Sequence, residues 1–154
     1  MSALTIREAR RADLPAVIAL LREDVIREID ESALGPEAYA EAFEEIAADA
    51  HQQLLVGELS GTVVATAQLT WVRHLTYAGG LMCGVESVRV RSDLRGRGLG
   101  RRLMEHVVAE ARRRGAARVE LTTNARRTRA QEFYRDLGFV ASHVGMKYYL
   151  GERA

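Results

Sequence analysis

Residues 95–101 read Arg-Gly-Arg-Gly-Leu-Gly-Arg, between an apolar, strand-like run, Val85-Glu86-Ser87-Val88-Arg89-Val90, and a long helical pattern from Leu99 to Arg113. Strand, glycine-rich turn, helix is the order around which the rest of the chain is organised. Three glycines in five residues (Gly96, Gly98, Gly100) let the backbone take positive φ and bring its N–H groups close to a bound group. The helix that follows adds the free donors of its first turn and the positive end of its dipole. Such a turn describes an anion site whose natural ligand is a phosphate or pyrophosphate. Arg95, Arg97, Arg101 and Arg102 add positive side chains at the same place. The same residues also suit a flexible arginine-rich turn ahead of an ordinary helix.

Spacing sets two nucleotide motifs aside. A P-loop needs a lysine after its last glycine, and Arg101 follows Gly100 here; the dinucleotide fingerprint needs Gly-x-Gly-x-x-Gly, and here the order is Gly96-x-Gly98-x-Gly100. Composition narrows the class further. A chain of 154 residues with 47% hydrophobic content suits one domain, residues 1–154, with a real core. Twenty-two basic and 21 acidic residues leave a net charge of +1, and aromatics make up 6%. Neither figure suits a polycation built for nucleic acid or an anionic membrane, and no base-stacking motif is present. The single cysteine, Cys83, cannot form an internal disulfide and fits a reducing compartment. Residues 1–8 lack the apolar core of a signal peptide, and no apolar run approaches the roughly 20 residues of a membrane span. The expected location is therefore the cytoplasm.

Taken in order, residues 4–9 alternate apolar and polar side chains and predict a first strand. Asp13 and Pro15 then mark a helix start, with Asp13 as N-cap, and apolar residues at helical spacing carry that helix to about Ile29. Residues 30–35 break it. Pro36 opens a second helix whose outer face (Glu37, Glu41, Glu44, Glu45, Asp49) is acidic and reads either as solvated surface or as a wall for a cationic amine. Residues 54–59 and 62–71 form a hairpin around Ser60-Gly61; residues 72–83 form a loop suited to contacting a substrate. A fourth strand at 85–90 enters the glycine turn. Leu99, Leu103, Val107, Val108 and Ala111 make the apolar face of the next helix, which Gly115 stops. A fifth strand follows at 118–123, then a short helix at about 128–137, and two last strands at 139–143 and 146–150. Strand–helix–strand units favour parallel neighbours and hairpins antiparallel ones, so the sheet is predicted to be mixed.

Two blocks of sequence carry a family resemblance. Arg95-x-x-Gly98-x-Gly100 resembles the Gln/Arg-x-x-Gly-x-Gly/Ala loop of the GNAT superfamily of N-acetyltransferases, whose backbone amides hold the pyrophosphate of acetyl-CoA. Residues Ala130-Gln131-Glu132-Phe133-Tyr134-Arg135-Asp136-Leu137-Gly138-Phe139 are similar to that superfamily's Ala-x-x-x-Tyr-x-x-x-Gly-Phe segment. The two occur in the expected order, with a helix and a strand between them. The resemblance implies an α/β (α+β) GNAT fold: a mixed, mostly antiparallel seven-stranded sheet, helices on both faces, and strands four and five splayed apart. The neighbouring residues are also similar to an uncharacterised bacterial branch, which points to no particular acceptor.

Acetyl transfer from a thioester to an amine requires that the cofactor be held, the amine lose a proton, the oxyanion be stabilised and the thiolate be protonated. The resemblance implies a pyrophosphate cradle from the N–H groups of Gly96, Arg97, Gly98, Leu99, Gly100 and Arg101, flanked by Arg95. Val88, Arg89 and Val90 are then expected to pair through their backbone with the pantetheine arm, with the N–H of Val88 on the thioester carbonyl. Tyr134 matches the tyrosine that protonates the thiolate in many members, the reading preferred to that of a buried aromatic beside Phe133. A phenol with a pKa of ~10 stays protonated at neutral pH until it is needed. Glu86 is the candidate general base, or else a polar residue on a sheet face; Glu120 and an ordered water are alternatives. The cofactor-binding asparagine of the family falls on Asn124 by position and on Arg127 by register. His51, His74, His106 and His143 have no metal-ligand spacing, and no metal is expected. The resulting expectation is an acetyl-CoA-dependent N-acetyltransferase acting on an amine of unidentified identity, with a homodimer left open. A non-catalytic coenzyme A-binding or regulatory module is the alternative.

Overall fold

The computed structural model describes residues 3–23 and 35–151. Runs of alternating side chains produce five strands, β1 (Thr5–Glu8), β2 (Gln52–Leu59), β3 (Thr62–Arg73), β4 (Leu81–Val90) and β5 (Arg118–Leu121), joined in one sheet in that order. The first three pairings are antiparallel and β4–β5 is parallel, so the sheet is mixed as expected. Ser60 and Gly61, at φ 51° and 79°, form the two-residue turn that the right-handed twist of the β2–β3 hairpin favours.

Helix α1 (Leu14–Arg22) packs on β3 and β4, and α2 (Pro36–Ala48) on β2. A short turn, α3 (Thr76–Gly79), links β3 to β4, with Tyr77 and Ala78 in left-handed conformations. Both flanking strands run further into residues 72–83 than their sequence suggests, with Arg73 paired to Leu81, so the expected long loop shrinks to this turn. Helices α4 (Leu99–Arg113) and α5 (Thr128–Asp136) match their sequence signals closely. The expected extension of the first helix to Ile29, and most of the break after it, lie outside the described residues. Among those residues, no helix is long and apolar enough to cross a membrane.

Cross-strand partners share a face of the sheet. One face carries Leu55, Leu69, Trp71, Cys83 and Val85, which α4 covers with Met104, Val107 and Ala111; this is the largest core cluster. The opposite face carries a polar row, in which Gln52, Thr70, Gly84 and Glu120 are in register and Gln68 lies opposite Glu86. Asp13 is the N-cap of α1, as expected, but its side chain is used elsewhere. Its carboxylate does not cap α1; it accepts the N–H of Arg10 at 2.7 Å and a two-armed bond from Arg7 at 2.7 and 3.0 Å. Glu58 of β2 holds the same Arg7 at 2.8 Å, tying the entrance of α1 to the sheet.

The sheet has five strands, not the seven expected. Residues 139–143 and 146–150 form none, because neither run has a ladder partner among the described residues; Phe139 packs on the core, but Val140, Met146, Tyr148 and Leu150 are 82–96% exposed. A strand needs both a partner and a covered face.

Candidate active site

Strand β4 reaches the glycine turn through a distortion. Its register with β3 is regular up to Glu86, opposite Gln68; it then slips, and pairing resumes with Arg89 opposite Thr66. Two steps along β3 match three along β4. The extra residue is a bulge, and Ser87 within it takes φ 53°. A serine held there stores on the order of 1–3 kcal/mol of strain, and a bulge re-aims the backbone and side chains on either side of it. The bulge falls where β5 stops accompanying β4: their last pair is Val85–Leu121. Beyond that pair, residues 86–90 have a ladder with β3 alone among the described residues.

The turn that follows is fixed from three sides. Arg91 N–H donates to the Val64 carbonyl at 2.9 Å, Ser92 N–H to Glu23 Oε2 at 2.9 Å, and Arg95 Nε to the Val90 carbonyl at 3.2 Å. Gly96 and Gly98 have φ of 76° and 78°, and nothing stands within 4 Å of where a Cβ would be. Their purpose is conformational, and they leave the backbone bare on its open side. Gly98 is the N-cap of α4, no side chain caps that end, and the first-turn N–H groups of Leu99, Gly100 and Arg101 have no acceptor inside the helix. Gly100 differs from the other two. Its φ is not positive, and a Cβ there would make ordinary van der Waals contact, 3.4 Å from Phe133 Cζ and 3.6 Å from Val90 Cγ2, where α4, α5 and β4 meet. Leu99 is buried with Leu4, Val64 and Leu94, anchoring the helix start, while the side chains of Arg95, Arg97 and Arg101 are exposed.

Tyr134 packs against the main core cluster, with its ring edge-on to Phe133 (centroids 5.1 Å apart) and to Phe139 (5.8 Å). Burial pushes its phenol above the ordinary tyrosine value, while the positive charges of Arg89 and Arg127 act in the opposite direction. The structure thus brings residues from β4, the bulge and the start of α5 to bear on one hydroxyl. Val88 and Val90 pack into the core with Leu103, Ala65 and Ala67. Their side chains are structural, and the carbonyls of Val88 and Val90 accept the side chains of Arg89 and Arg95. Glu86 is exposed beside the polar row, where Gln68 Nε2 donates to Gln52 Oε1 at 3.1 Å.

Asn124 shapes the turn before α5. Its side-chain oxygen accepts the Arg126 N–H at 2.9 Å and its backbone carbonyl accepts the Arg127 N–H at 2.9 Å. Arg127 is the N-cap of α5. Glu120 is engaged by Arg118 at 2.7 Å, away from the bulge. Cys83 is fully buried and its thiol is pushed up to about 11 by desolvation, which suits an apolar filler and not a nucleophile. His143 bonds to Ser142, His51 lies beside Asp49, and no group of residues among those described could hold a metal. Sequence reasoning did not single out Ser87 or the row of Gln52, Gln68 and Thr70. The interruption of an apolar run by Glu86-Ser87 was the only signal for the bulge, and serine does not announce a left-handed conformation. The row becomes visible only once strand register is known.

A pyrophosphate suits this turn on the structure's own terms: bare backbone at two positive-φ glycines, an uncapped helix N-terminus and exposed arginines around it. Residues 17–139 match the acetyltransferase (GNAT) family. The chain belongs to that family. The aminoalkylphosphonate N-acetyltransferase of Salmonella typhimurium is 29% identical over 143 residues, covering 93% of this chain and 89% of that protein. Glucosamine 6-phosphate N-acetyltransferase 1 of Oryza sativa subsp. japonica is 35% identical over 119 residues, covering 75% and 70%. A solved structure described as a transcriptional regulator from Bacillus halodurans C-125 superposes with a TM-score of 0.89 at 38% identity, covering 96% of this chain and 100% of that one. Within the GNAT family the protein is an N-acetyltransferase.

Proposed function

We infer that the protein is an acetyl-CoA-dependent N-acetyltransferase that moves an acetyl group directly to a primary amine of a small-molecule or peptide acceptor. One observation carries the reading: the uncapped, glycine-shaped start of α4, the bulged edge of β4 and the half-buried Tyr134 converge where β4 and β5 part. Acetyl-CoA supplies the activated acyl group as a thioester. The amides of residues 96–101 hold its pyrophosphate, with Arg95, Arg97 and Arg101 adding charge from the rim. The backbone of Val88, Arg89 and Val90 is the stretch that runs along the pantetheine arm, and the N–H of Val88, beside the bulge, polarises the thioester carbonyl. Arg127 bears on the same place through its charge, whereas the Asn124 side chain serves the turn.

Tyr134 Oη keeps its proton through neutral pH because burial raises its pKa, and gives it to the departing thiolate. Glu86, exposed on the polar face, takes the proton from the incoming amine. Gln52, Gln68 and Thr70 make that approach hydrophilic, which supports a polar amine. The names of the Salmonella and rice relatives both describe amines that carry a phosphorus oxyanion.

Release of coenzyme A thiol with a panel of polar amines tests the assignment. Tyr134→Phe and Glu86→Gln are each expected to lower turnover by about 10²–10⁴-fold, while calorimetric affinity for coenzyme A stays within about twofold. Tight binding of acetyl-CoA with no thiol released on any amine would instead favour a non-catalytic coenzyme A-binding module, a role in keeping with the regulator description of the Bacillus relative.

A further inference from the structure

We propose that Glu23, at the C-terminal end of α1, is a positioning residue for coenzyme A: its carboxylate oxygen braces the turn that leads into residues 96–101, and its charge competes with the pyrophosphate for Arg95. The inference rests on the cradle assigned above. It adds to that cradle a residue from a part of the chain that no motif connects to it.

A carboxylate is out of place where Glu23 stands. It is the C-cap of α1, at the negative end of the helix dipole, where a cation is favoured and an anion opposed. Val17 and Leu20 are buried and fix this helix against the sheet, so its end is held in place. Compensation comes from a stretch 69 residues further along the chain, where the Ser92 N–H donates to Glu23 Oε2 at 2.9 Å. Arg95 Nη2 lies 3.8 Å from the same oxygen. Helix chemistry and the observed residue disagree, and such conflicts mark functional positions.

The hydrogen bond favours binding. Ser92 opens the single 3-10 turn Ser92–Leu94 that delivers the chain to Gly96, and Arg91 at its N-cap supplies no side-chain cap, so Glu23 caps it from another element. Leu94, buried with Leu99, pins the other end of that turn. The direction in which the backbone enters the cradle is thereby set from both sides.

The charge works the other way. Arg91 is committed to Asp93, at 2.7 and 3.1 Å, which leaves Arg95, the neighbour of Gly96, to answer Glu23. Arg95 Nε is held by the Val90 carbonyl at 3.2 Å, its Nη2 reaches Glu23 only at 3.8 Å, and its side chain is 57% exposed. So long and wet a pair holds weakly. A diphosphate on the adjacent amides carries more charge than one carboxylate and takes the guanidinium over. Glu23 is then an anion beside an anion, which limits the grip on coenzyme A and eases its departure after each turnover.

Calorimetric titration of the full chain with coenzyme A at about 20 mM and about 500 mM salt tests this. Glu23→Gln keeps an oxygen for Ser92 and removes the charge; its dissociation constant is expected to fall ~3–10-fold below that of the wild type at low salt and to approach it at high salt. Glu23→Ala removes both and is expected to bind at least ~3-fold more weakly than Glu23→Gln at either salt concentration. In an Arg95→Gln background the gain from Glu23→Gln is expected to shrink below about twofold, as a residue acting through Arg95 requires. Should Glu23→Ala fail to fold, the salt dependence of Glu23→Gln and the Arg95 cycle decide alone. Weaker binding in Glu23→Gln, which a merely structural role would give, overturns the proposal, and so does a gain that persists in full without Arg95. A wild type with no affinity for coenzyme A refutes the cradle and this proposal together, whereas normal wild-type affinity with Glu23→Gln unchanged refutes this proposal alone.

Discussion

The entrances of α1 and α4 are built in opposite ways. Ahead of α1, side chains close the space: the Asp13 carboxylate takes the Arg10 N–H and both arms of Arg7, and Glu58 holds Arg7 from the sheet. Ahead of α4, two glycines at positive φ stand in open space and no side chain caps the helix. The first entrance ties its charged side chains to one another and to the sheet, and so contributes to stability. The second leaves its donors to a ligand, so its backbone geometry serves binding. What a helix start does for a protein is set by whether something from the same chain fills it.

The largest effect that separates the two belongs to Gly98. Gly98→Val forces a β-branched residue to φ 78°, which costs about 1–3 kcal/mol and displaces the amides, so coenzyme A affinity should fall on the order of 100-fold by calorimetry. Gly61→Val imposes the same strain at φ 79° in the β2–β3 hairpin and should leave affinity unchanged. Equal losses of affinity in the two variants would reduce the glycine argument to general stability.

Next comes Arg7→Ala, which strands the carboxylates of Asp13 and Glu58. These groups are only partly exposed, so about 1–2 kcal/mol is expected, lowering Tm by roughly 3–6 °C in a calorimetric scan without altering coenzyme A affinity. Loss of affinity here would mean that the two entrances are coupled.

The smallest effect is at the far end of α4. Hydrogen bonds from Arg113 and then Arg114 hold the Glu110 carboxyl down at about 2, and Arg114 in turn lies 4.3 Å over the Trp71 ring. A carboxyl whose folded pKa is depressed contributes stability that is present above its ordinary value near 4.5 and is lost as pH falls toward about 2. Acid unfolding followed by circular dichroism should therefore be shallower between those limits in Glu110→Gln, while the wild type and the variant should differ by a constant amount above them.

Local signals were legible where one residue type has one physical use. The Leu99–Arg113 helix, its glycine stop, the Ser60-Gly61 hairpin and the Thr128 start of α5 were readable because periodicity and turn chemistry act within a few residues. The glycine turn was also legible, except that Gly100 does not take the positive φ that Gly96 and Gly98 do, and faces Phe133 and Val90 from distant parts of the chain. Asp13 was placed correctly as the N-cap of α1, but its carboxylate went to Arg7 and the Arg10 N–H, partners that helix-start chemistry does not reveal. The last two strands failed because alternation shows which face a strand would have, and not whether any partner is there to receive it. For the site, Tyr134 and the cradle could be located from spacing, whereas the Ser87 bulge and the polar row depend on register between strands.

Backbone amide NMR during a titration with coenzyme A tests the central claim most directly. Residues 96–101 are expected to show the largest shifts and slowed hydrogen exchange, with Tyr134 perturbed in the same titration. Shifts concentrated elsewhere, with the amides of 96–101 unmoved at saturation, would contradict it.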